Sequence, residues 1–417
     1  MKLIFELNEF NLGLMQSMSE GRPNLEKVLK FYKTQASIPD NYSSGFLEPW
    51  SQWVSIHSGI PSRIHEVMHL GITESHKFEN IWDQEPEKFN LIWGSMNVKR
   101  PKSPKLLFFP DPWNTSVTTN IKQARILESF LKEAVKNRGN TFSRKIIYFL
   151  KILFLGLLVL PKALSNLSFP VFKLLFREIL SFNINSSTIY AIVEFISLRE
   201  FLALAKKTNN PSKNLTDIFF ANFIAHFQHY YWNEVDNSKL VFAYDLLNEF
   251  FREIFNQYDT IVIINGLSQE LSIDQETWHA YYPKVGWEAF IASLKLPIKK
   301  TYPLMSYDAI LEMESYEDLN IVKEFIDDIT TESKTRLFFT KKMDANSNKL
   351  FIRFDYFSDS NIKIFLNKKI LNFNDLFLSL GIRTAKHVQY CDVLSSDRIN
   401  FSFENNWELS RLYLGNP

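Results

Sequence analysis

Cysteine, net charge and internal repeats are scarce or missing in this chain of 417 residues. The single cysteine, Cys391, excludes a disulfide framework and fits a reducing compartment. The formal net charge of +1 gives no reason to expect nucleic acid or another polyanionic partner. Neither a repeat nor a low-complexity tract is visible, so the length indicates one large domain with an insertion, or two domains.

A secretory signal is also missing from the first residues. The stretch MKLIFELNEF contains one lysine and reaches Glu6 before any long apolar run forms. This pattern predicts a first β-strand rather than a signal peptide. Together with the single cysteine, it leads us to expect a cytoplasmic protein, either free or peripheral at the inner face of the membrane.

Short apolar runs alternate with stretches of helical spacing along both ends of the chain. Such alternation predicts an α/β fold whose mostly parallel sheet is flanked by helices, with the site at the carboxyl ends of the strands. The predicted strands are 3–7, 89–93, 105–110, 260–264, 336–340, 349–357 and 361–366. The predicted helices are 23–32, 48–58, 242–256 and 372–380.

The middle of the chain differs in composition from both ends. Residues 135–182 carry eight lysines and arginines against one acid, Glu178, and include an apolar run at 146–161. That run is somewhat short for a bilayer span of about 20 residues. Two interpretations stay open, a peripheral contact of 135–182 with an anionic membrane or a helical cap packed on the sheet. Either way, we expect a helical insertion at 111–212, between core segments 1–110 and 213–417.

Five stretches stand in an order that matches one enzyme family. They are the opening strand, PWSQWVSIHSGIPSRIHEV (49–67), AHFQHYYW (225–232), YDTIVIINGLSQE (258–270) and LGIRTAKHVQYCDVLS (380–395). In this order they resemble the alkaline phosphatase superfamily, specifically its type I phosphodiesterase/nucleotide pyrophosphatase branch. The resemblance implies a three-layer, alkaline-phosphatase-like α/β fold, in which the insertion would be a variable cap.

The resemblance also implies a site with two zinc-like ions, held by three Asp and three His side chains. In this sequence the first Asp falls on Asn8, the helix Asp on Ala225, and an Asp-His pair on Gly266 and Leu267. Too little negative charge remains to offset two divalent cations, so we expect one zinc or manganese ion, or none. The candidate metal ligands are Glu6, Asn8, His229 and His387, with Glu9 beside them.

The nucleophile position of the family falls on Pro49, where no hydroxyl is available. The nearest hydroxyl belongs to Ser51, and the neighbouring Glu48 is a candidate general base or nucleophile. The candidate catalytic residues are therefore Glu48, Ser51, His226 and His229. A structural role stays open for two of them, because Glu48 also suits a helix N-terminus and His229 an aromatic core.

Amide and aromatic side chains surround these positions. Amides bind hydroxyl groups with two hydrogen bonds, and indole faces pack on sugar rings, so the set suits a sugar or a sugar phosphate. The candidate substrate-binding residues are Asn8, Trp50, Gln52, Asn265, Ser268 and Gln269.

Three functions follow as alternatives. The first is a hydrolase or transferase with a degenerate metal site, acting on a phosphorylated or glycosylated substrate, including a lipid-linked one. The second is a metal-free carbohydrate-active enzyme that uses Glu48 and a histidine. The third is a non-catalytic relative that binds a glycan. None of them requires nucleic acid as a partner.

Overall fold

A computed structural model of the protein describes most of the chain. The described residues are 1–41, 45–71, 73, 76–114, 116–136, 168–181, 185–208, 215–232, 238–272, 278–304, 307–343, 348–366, 369–399 and 402–414. The apolar run at 146–161, which the sequence analysis assigned to the insertion, lies outside them. None of the described helices combines the length and the apolar character that crossing a membrane would need.

Strands and helices alternate through the first part of the chain. The strands are β1 (Lys2–Leu7), β2 (Tyr32–Ser37), β3 (Phe89–Trp93), β4 (Leu107–Phe109), β5 (Thr216–Ala221), β6 (Thr260–Ile264), β7 (Ser268–Leu271), β8 (Trp278–Pro283), β9 (Lys300–Pro303), β10 (Ala309–Glu312), β11 (Thr330–Thr331), β12 (Phe338–Lys342), β13 (Lys349–Phe354), β14 (Lys363–Leu366), β15 (Lys369–Asn372), β16 (Phe377–Arg383), β17 (Ala385–Val388) and β18 (Tyr390–Ser395). The α-helices are α1 (Leu12–Ser17), α2 (Pro23–Val28), α3 (Pro49–Ser58), α4 (Ser62–His65), α5 (Ile81–Gln84), α6 (Arg125–Lys136), α7 (Phe169–Leu180), α8 (Ser186–Thr208), α9 (Phe223–Tyr231), α10 (Ser238–Phe255), α11 (Trp287–Ser293), α12 (Tyr316–Asp327), α13 (Phe373–Leu376) and α14 (Ser410–Leu414). Short 3₁₀ turns lie at Pro86–Lys88, Lys122–Ala124 and Asn406–Leu409.

A seven-stranded sheet in the order β2-β18-β6-β1-β5-β3-β4 forms the centre of the first unit. The five strands from β6 to β4 run parallel, and β18 is antiparallel to both of its neighbours. The predicted strands at 3–7, 89–93, 105–110 and 260–264 are all confirmed as members of this sheet. The fold is therefore a mixed α/β fold with a largely parallel central sheet, as the alternation of elements predicted.

Helices cover both faces of this sheet. Side chains alternate between the two faces along β1, and Phe5 packs against Phe250 and Phe251 of α10, with ring centroids 6.4 and 5.6 Å away. The next residue, Glu6, points the other way and meets His57 of α3. Strand β1 is fully apolar apart from its ends and Glu6 because a central parallel strand is buried on both faces.

The chain divides into two compact units. The first comprises Met1–Glu270 and Lys386–Pro417, and the second is Leu271–Ala385. The sequence analysis placed all of 213–417 in one core and set 111–212 apart, so the observed boundary falls elsewhere. In the described part of 111–212, α8 belongs to the first core, where Phe201 packs on Phe219 of β5 with ring centroids 5.0 Å apart.

The second unit is built mainly from antiparallel strands. It contains a four-stranded sheet in the order β12-β13-β10-β9, a three-stranded sheet in the order β11-β14-β15, and the pair β16-β8. The predicted strands at 336–340, 349–357 and 361–366 are confirmed with shifted ends. The predicted helix at 372–380 was wrong beyond α13, because β16 follows it and buries Phe377 between Phe290 and Phe354.

Candidate metal centre

The chain leaves β1 at Leu7 and is held between the ends of two neighbouring strands. The backbone N–H of Asn8 donates to Ala221 O at the end of β5 (2.9 Å), and that of Glu9 donates to Asn265 O beyond β6 (2.8 Å). These residues therefore lie at the carboxyl edge of the parallel strands, where open α/β sheets place their sites.

Glu9 has a strained backbone and a buried side chain. Its φ angle of 56° lies in the left-handed region, which costs an L-residue roughly 1–2 kcal/mol. Its side chain is only 3% exposed, and Oε1 accepts a hydrogen bond from Asn8 Nδ2 (2.9 Å). The turn thus directs a carboxylate inward immediately after the strand.

Two histidines approach the other carboxylate oxygen of Glu9. The Nε2 atoms of His229 and His387 each lie 3.0 Å from Glu9 Oε2, and the amide nitrogen of Gln269 also contacts this oxygen. Burial by itself would raise the pKa of Glu9, but the charge of His387 and the hydrogen bond and charge of His229 hold that pKa well below its usual range. Glu9 is therefore an anion at the centre of this group.

His229 is positioned by helix α9, which follows β5 directly. The backbone N–H groups of Asn222 and Phe223 at the start of this helix donate to Glu194 Oε2 of α8, both at 2.9 Å. One residue before His229, Gln228 donates through Nε2 to Glu9 O (2.7 Å). Helix α9 is thus fixed at its start and tied to the turn that carries Glu9.

His387 lies on β17, which pairs with β7, the strand that carries Gln269. Its Nδ1 atom is 3.1 Å from the carbonyl oxygen of Leu47 and 3.5 Å from Glu48 Oε2. Both oxygens are acceptors, so Nδ1 carries the proton. With Nδ1 protonated, Nε2 is the ring nitrogen that would coordinate a metal ion held beside Glu9.

The Nε2 atom of His229 has two neighbours of opposite character. Gln269 Nε2, a donor, lies 2.9 Å away, and Glu9 Oε2, an acceptor, lies 3.0 Å away. One nitrogen cannot accept from the first and donate to the second at the same time. A cation bound by Glu9 Oε2 and the two imidazole Nε2 atoms would take a lone pair from each of the three.

The ligand set suits one divalent cation. Within the described part of the chain, Glu9, His229 and His387 form the one group of three such side chains whose ligand atoms lie within 4.8 Å of one another. The neighbouring amides of Asn8 and Asn265 act as donors: Asn8 Nδ2 donates to Asn222 Oδ1 (2.6 Å) and Asn265 Nδ2 to Phe10 O (2.9 Å). Two histidines and one carboxylate are a ligand set typical of Zn²⁺ or another divalent transition metal.

Asn8, a predicted metal and substrate ligand, instead orients Glu9. Besides donating to Glu9, it accepts a hydrogen bond through Oδ1 from Trp53 Nε1 (2.7 Å). The indole of Trp53 fits against Gly266, where an added Cβ would come within 2.6 Å of the ring. Trp53, Asn8 and Glu9 therefore form a buried chain of contacts that ends at the candidate metal centre.

Glu6, another predicted ligand, lies outside this group. Its carboxylate is fully buried, and Oε1 meets His57 Nε2 and the hydroxyl of Tyr413, both at 2.7 Å. These two contacts supply the partners that a buried carboxylate requires.

The other predicted residues are distributed around the centre. Glu48 is brought beside His387, and Gln269 contacts Glu9. Asn265 and Ser268 both donate to Phe10 O and so shape the turn beyond β6. The ring of His226 packs against Tyr190 of α8, with centroids 5.0 Å apart.

The three candidates on α3 make contacts of their own. Ser51 donates to Val67 O (2.6 Å), Gln52 to Phe46 O (2.6 Å) and Trp50 Nε1 to Met68 O (3.1 Å). These hydrogen bonds satisfy backbone carbonyl oxygens in the loop that follows α4 and in the segment that precedes α3. The hydroxyl of Ser51 is fully buried.

Glu9 is the central residue that sequence reasoning placed only beside the site. The resemblance aligned the family's first carboxylate with Asn8, and side-chain alternation would put Asn8 and Glu6 on the same face. The chain leaves the strand at Leu7, so alternation no longer applies, and the left-handed turn at Glu9 turns its side chain inward. A second acid directly after the strand was the available signal.

No protein-family model matches the sequence, and no curated protein matches it. Solved structures similar to this chain include phosphonoacetate hydrolase from Sinorhizobium meliloti 1021 in complex with phosphonoformate, at 7% identity and a TM-score of 0.46, covering 99% of this chain and 94% of that one. Ectonucleotide pyrophosphatase/phosphodiesterase 5 is also similar. The human protein has 10% identity, a TM-score of 0.45 and coverage of 99% and 93%; the murine one has 9%, 0.47, and 99% and 94%. At such low identity, function has to be argued from the atoms of the site.

Proposed function

We propose that the protein is a hydrolase that holds one divalent metal ion, Zn²⁺ or Mn²⁺, on Glu9, His229 and His387 and cleaves a phosphorylated substrate. The observation that carries this proposal is the approach of two imidazole Nε2 atoms to one buried carboxylate oxygen, each at 3.0 Å. A divalent cation would take a lone pair from each of these three atoms and would offset the charge of the buried carboxylate.

Three protein ligands favour a catalytic role for the ion over a structural one. Structural zinc sites are closed by four protein ligands, whereas catalytic sites keep a position for water or substrate. The side chains of His229 and His387 are 13% and 8% exposed, so the group is reachable from solvent. An ion in such a position polarises a phosphoryl or acyl oxygen and activates water.

A phosphorylated substrate is proposed from the sequence resemblance. His229 and His387 stand where the phosphodiesterase branch has two of its metal-binding histidines. A phosphoryl group gains negative charge during transfer and is stabilised by a fixed positive charge. A lipid-linked sugar phosphate belongs to the same substrate class and would suit the basic middle of the chain.

Water is the proposed nucleophile, because the available side chains do not supply one. Ser51, the nearest hydroxyl in the sequence, is fully buried and donates to Val67 O. Glu48 lies 3.5 Å from His387 Nδ1, where it orients the imidazole and can take up a proton. We therefore expect direct hydrolysis without a covalent serine intermediate.

The test combines metal analysis with turnover of the full-length protein. We expect one equivalent of zinc or manganese by mass spectrometry, and hydrolysis of bis-p-nitrophenyl phosphate that stops with EDTA and returns with metal. Glu9→Gln should lower metal affinity by more than about 100-fold, since even an outer-shell partner is worth about 10- to 100-fold. Ser51→Ala and the exposed Glu270→Gln are controls that keep both properties. A protein that binds no metal and turns nothing over would contradict the proposal.

Metal-free carbohydrate chemistry is the second candidate, favoured by the 3.5 Å contact between Glu48 and His387. A carboxylate beside an imidazole can act as an acid–base pair without an ion. Activity on a glycoside that persists in EDTA and is lost in Glu48→Gln would select this function. Activity that needs metal would select the first.

A further inference from the structure

Helix α7 presents an apolar stripe to solvent. Its large apolar side chains Phe169, Phe172, Phe176 and Leu180 are 80%, 49%, 49% and 64% exposed. Ile179, at 46%, lies beside them. At 100° per residue, these five positions fall within about 100° of the helix circumference, so they form one continuous face. A continuous exposed apolar face of this kind indicates a contact surface. Apolar residues that are exposed singly are common, but they would not repeat at the helical period.

The opposite side of α7 is fixed to the first unit. Val171 is fully buried, and the carboxylate of Glu178 is buried within 3.7 Å of Lys239 Nζ on α10. Arg177 of α7 forms an ion pair with Asp245 of α10 (3.1 Å). The helix is therefore held in place while its phenylalanine stripe faces outward. Phe172 and Phe176 stack on each other along it, with centroids 6.4 Å apart.

Basic side chains lie along one edge of the stripe. Lys173 and Arg177 follow Phe172 and Phe176 by one residue each and are exposed. Both also line an open groove of about 730 Å³ next to α10, together with Arg22 and the acids Asp245 and Glu249. In the sequence, residues 135–182, which include α7, carry eight basic residues and one acid, whereas the whole chain has a formal charge of +1.

We infer that α7 binds to the surface of an anionic membrane, lying in the interface with its phenylalanine stripe in the acyl boundary. Amphipathic helices with basic residues beside an apolar face bind in this way, through buried apolar area and attraction to anionic lipid. Each lysine or arginine near such a surface adds to this attraction, which weakens as salt rises. A second copy of the chain would bring the same basic edge against itself, so the charge favours lipid over self-association. This inference does not depend on the metal centre.

The test is co-sedimentation of the full-length protein with vesicles of phosphatidylcholine, with and without 30% phosphatidylglycerol. We expect binding to the anionic vesicles at low salt, at least tenfold weaker binding to neutral ones, and loss of binding as salt rises. The double variant Phe172→Ser, Phe176→Ser should bind at least tenfold more weakly, and Lys173→Glu should be weaker on anionic vesicles alone. Ile64→Ser, at a position that is 66% exposed on α4, is the matched control and should bind as the unchanged protein does.

Three outcomes would overturn the inference. The first is a protein that stays in the supernatant with anionic vesicles at low salt. The second is a double variant that changes the molecular mass in solution but not vesicle binding, which would make a second copy the occupant of the stripe. The third is a double variant that melts at a lower temperature while the unchanged protein binds no vesicles, which would show that the stripe is covered within the chain.

Discussion

Oε2 of Glu9 lies 3.0 Å from Nε2 of His387, although 378 positions of sequence separate the two residues. The imidazole is turned toward the carboxylate by its other nitrogen, which is 3.1 Å from Leu47 O. A strained turn therefore directs Glu9 inward, and a backbone carbonyl holds the imidazole of His387 toward it.

Glu48→Gln should weaken metal binding without abolishing it. The side chain of Glu48 lies 3.5 Å from Nδ1 of His387, and outer-shell carboxylates of this kind contribute about 10- to 100-fold to metal affinity. The loss should be smaller than that of Glu9→Gln, because Leu47 O still accepts the Nδ1 proton. Competition with a fluorescent zinc chelator measures both affinities. Equal losses in the two variants would mean that Glu48 is itself a ligand.

Gly266→Ala should destabilise the protein and disturb the centre together. The new Cβ would lie 2.6 Å from Trp53 Cε2, at a φ of +72° that glycine alone adopts without strain. Overpacking costs about 1–3 kcal/mol and the left-handed backbone roughly 1–2 kcal/mol more. Displacing Trp53 would also break its hydrogen bond to Asn8, so metal affinity should fall with stability.

Gly21→Ala is the matched control for this substitution. Gly21 has a φ of +73°, but nothing lies within 4 Å of an added Cβ. Only the backbone term of roughly 1–2 kcal/mol applies, and metal binding should be unchanged. Urea unfolding curves of both variants give the comparison. If both variants lose the same free energy of unfolding, the close packing of Trp53 against Gly266 adds nothing to the cost of the substitution.

Glu194→Gln should remove a pH dependence of stability. Burial raises the pKa of Glu194 to about 7 against an ordinary value of 4.5, although hydrogen bonds from Tyr190, Phe223 and Asn222 favour the ionised form. Between these two values the folded state keeps a proton that the unfolded state has released. Stability from this group is therefore complete below pH 4.5 and lost as the pH rises to about 7.

The measurement is the free energy of unfolding of both proteins between pH 4.5 and 8. The unchanged protein should lose stability relative to Glu194→Gln as the pH rises, and the difference should level off above about pH 7. Glutamine keeps an acceptor for the N–H groups at the start of α9, so folding should persist. A difference that stays constant with pH would show that Glu194 is ionised throughout.

The local sequence pattern correctly predicted the strands that are buried on both faces and the helix with clear residues at its start and end. The runs at 89–93 and 260–264 became β3 and β6 with unchanged ends. Helix α3 begins at Pro49 and ends before Gly59, whose φ of 70° forms its C-cap. Strand β5 was missed, although it pairs with β1 along its whole length, because its polar first residues hide a buried run.

Single local windows could not identify the members of the site. His229 and His387 were predicted through their motifs, whereas Glu9 was passed over in favour of Asn8 and Glu6. Glu9 faces the site because β1 ends at Leu7 and the backbone then enters the left-handed region at Glu9. The alternation of side chains along a strand shows neither feature. Ser51 and Glu6 were candidate site residues in the sequence. In the structure both form hydrogen bonds with buried partners.

By itself, the sequence determined the α/β class, the parallel central strands and the two histidine motifs, because hydrophobic period and end signals are local properties. Only the tertiary structure decided which carboxylate meets those histidines, and which backbone carbonyl faces His387. It also decided that 271–385 forms a separate unit and that α7 turns its phenylalanines outward. These features depend on contacts between distant segments, whose distances and directions are set when the sheet assembles.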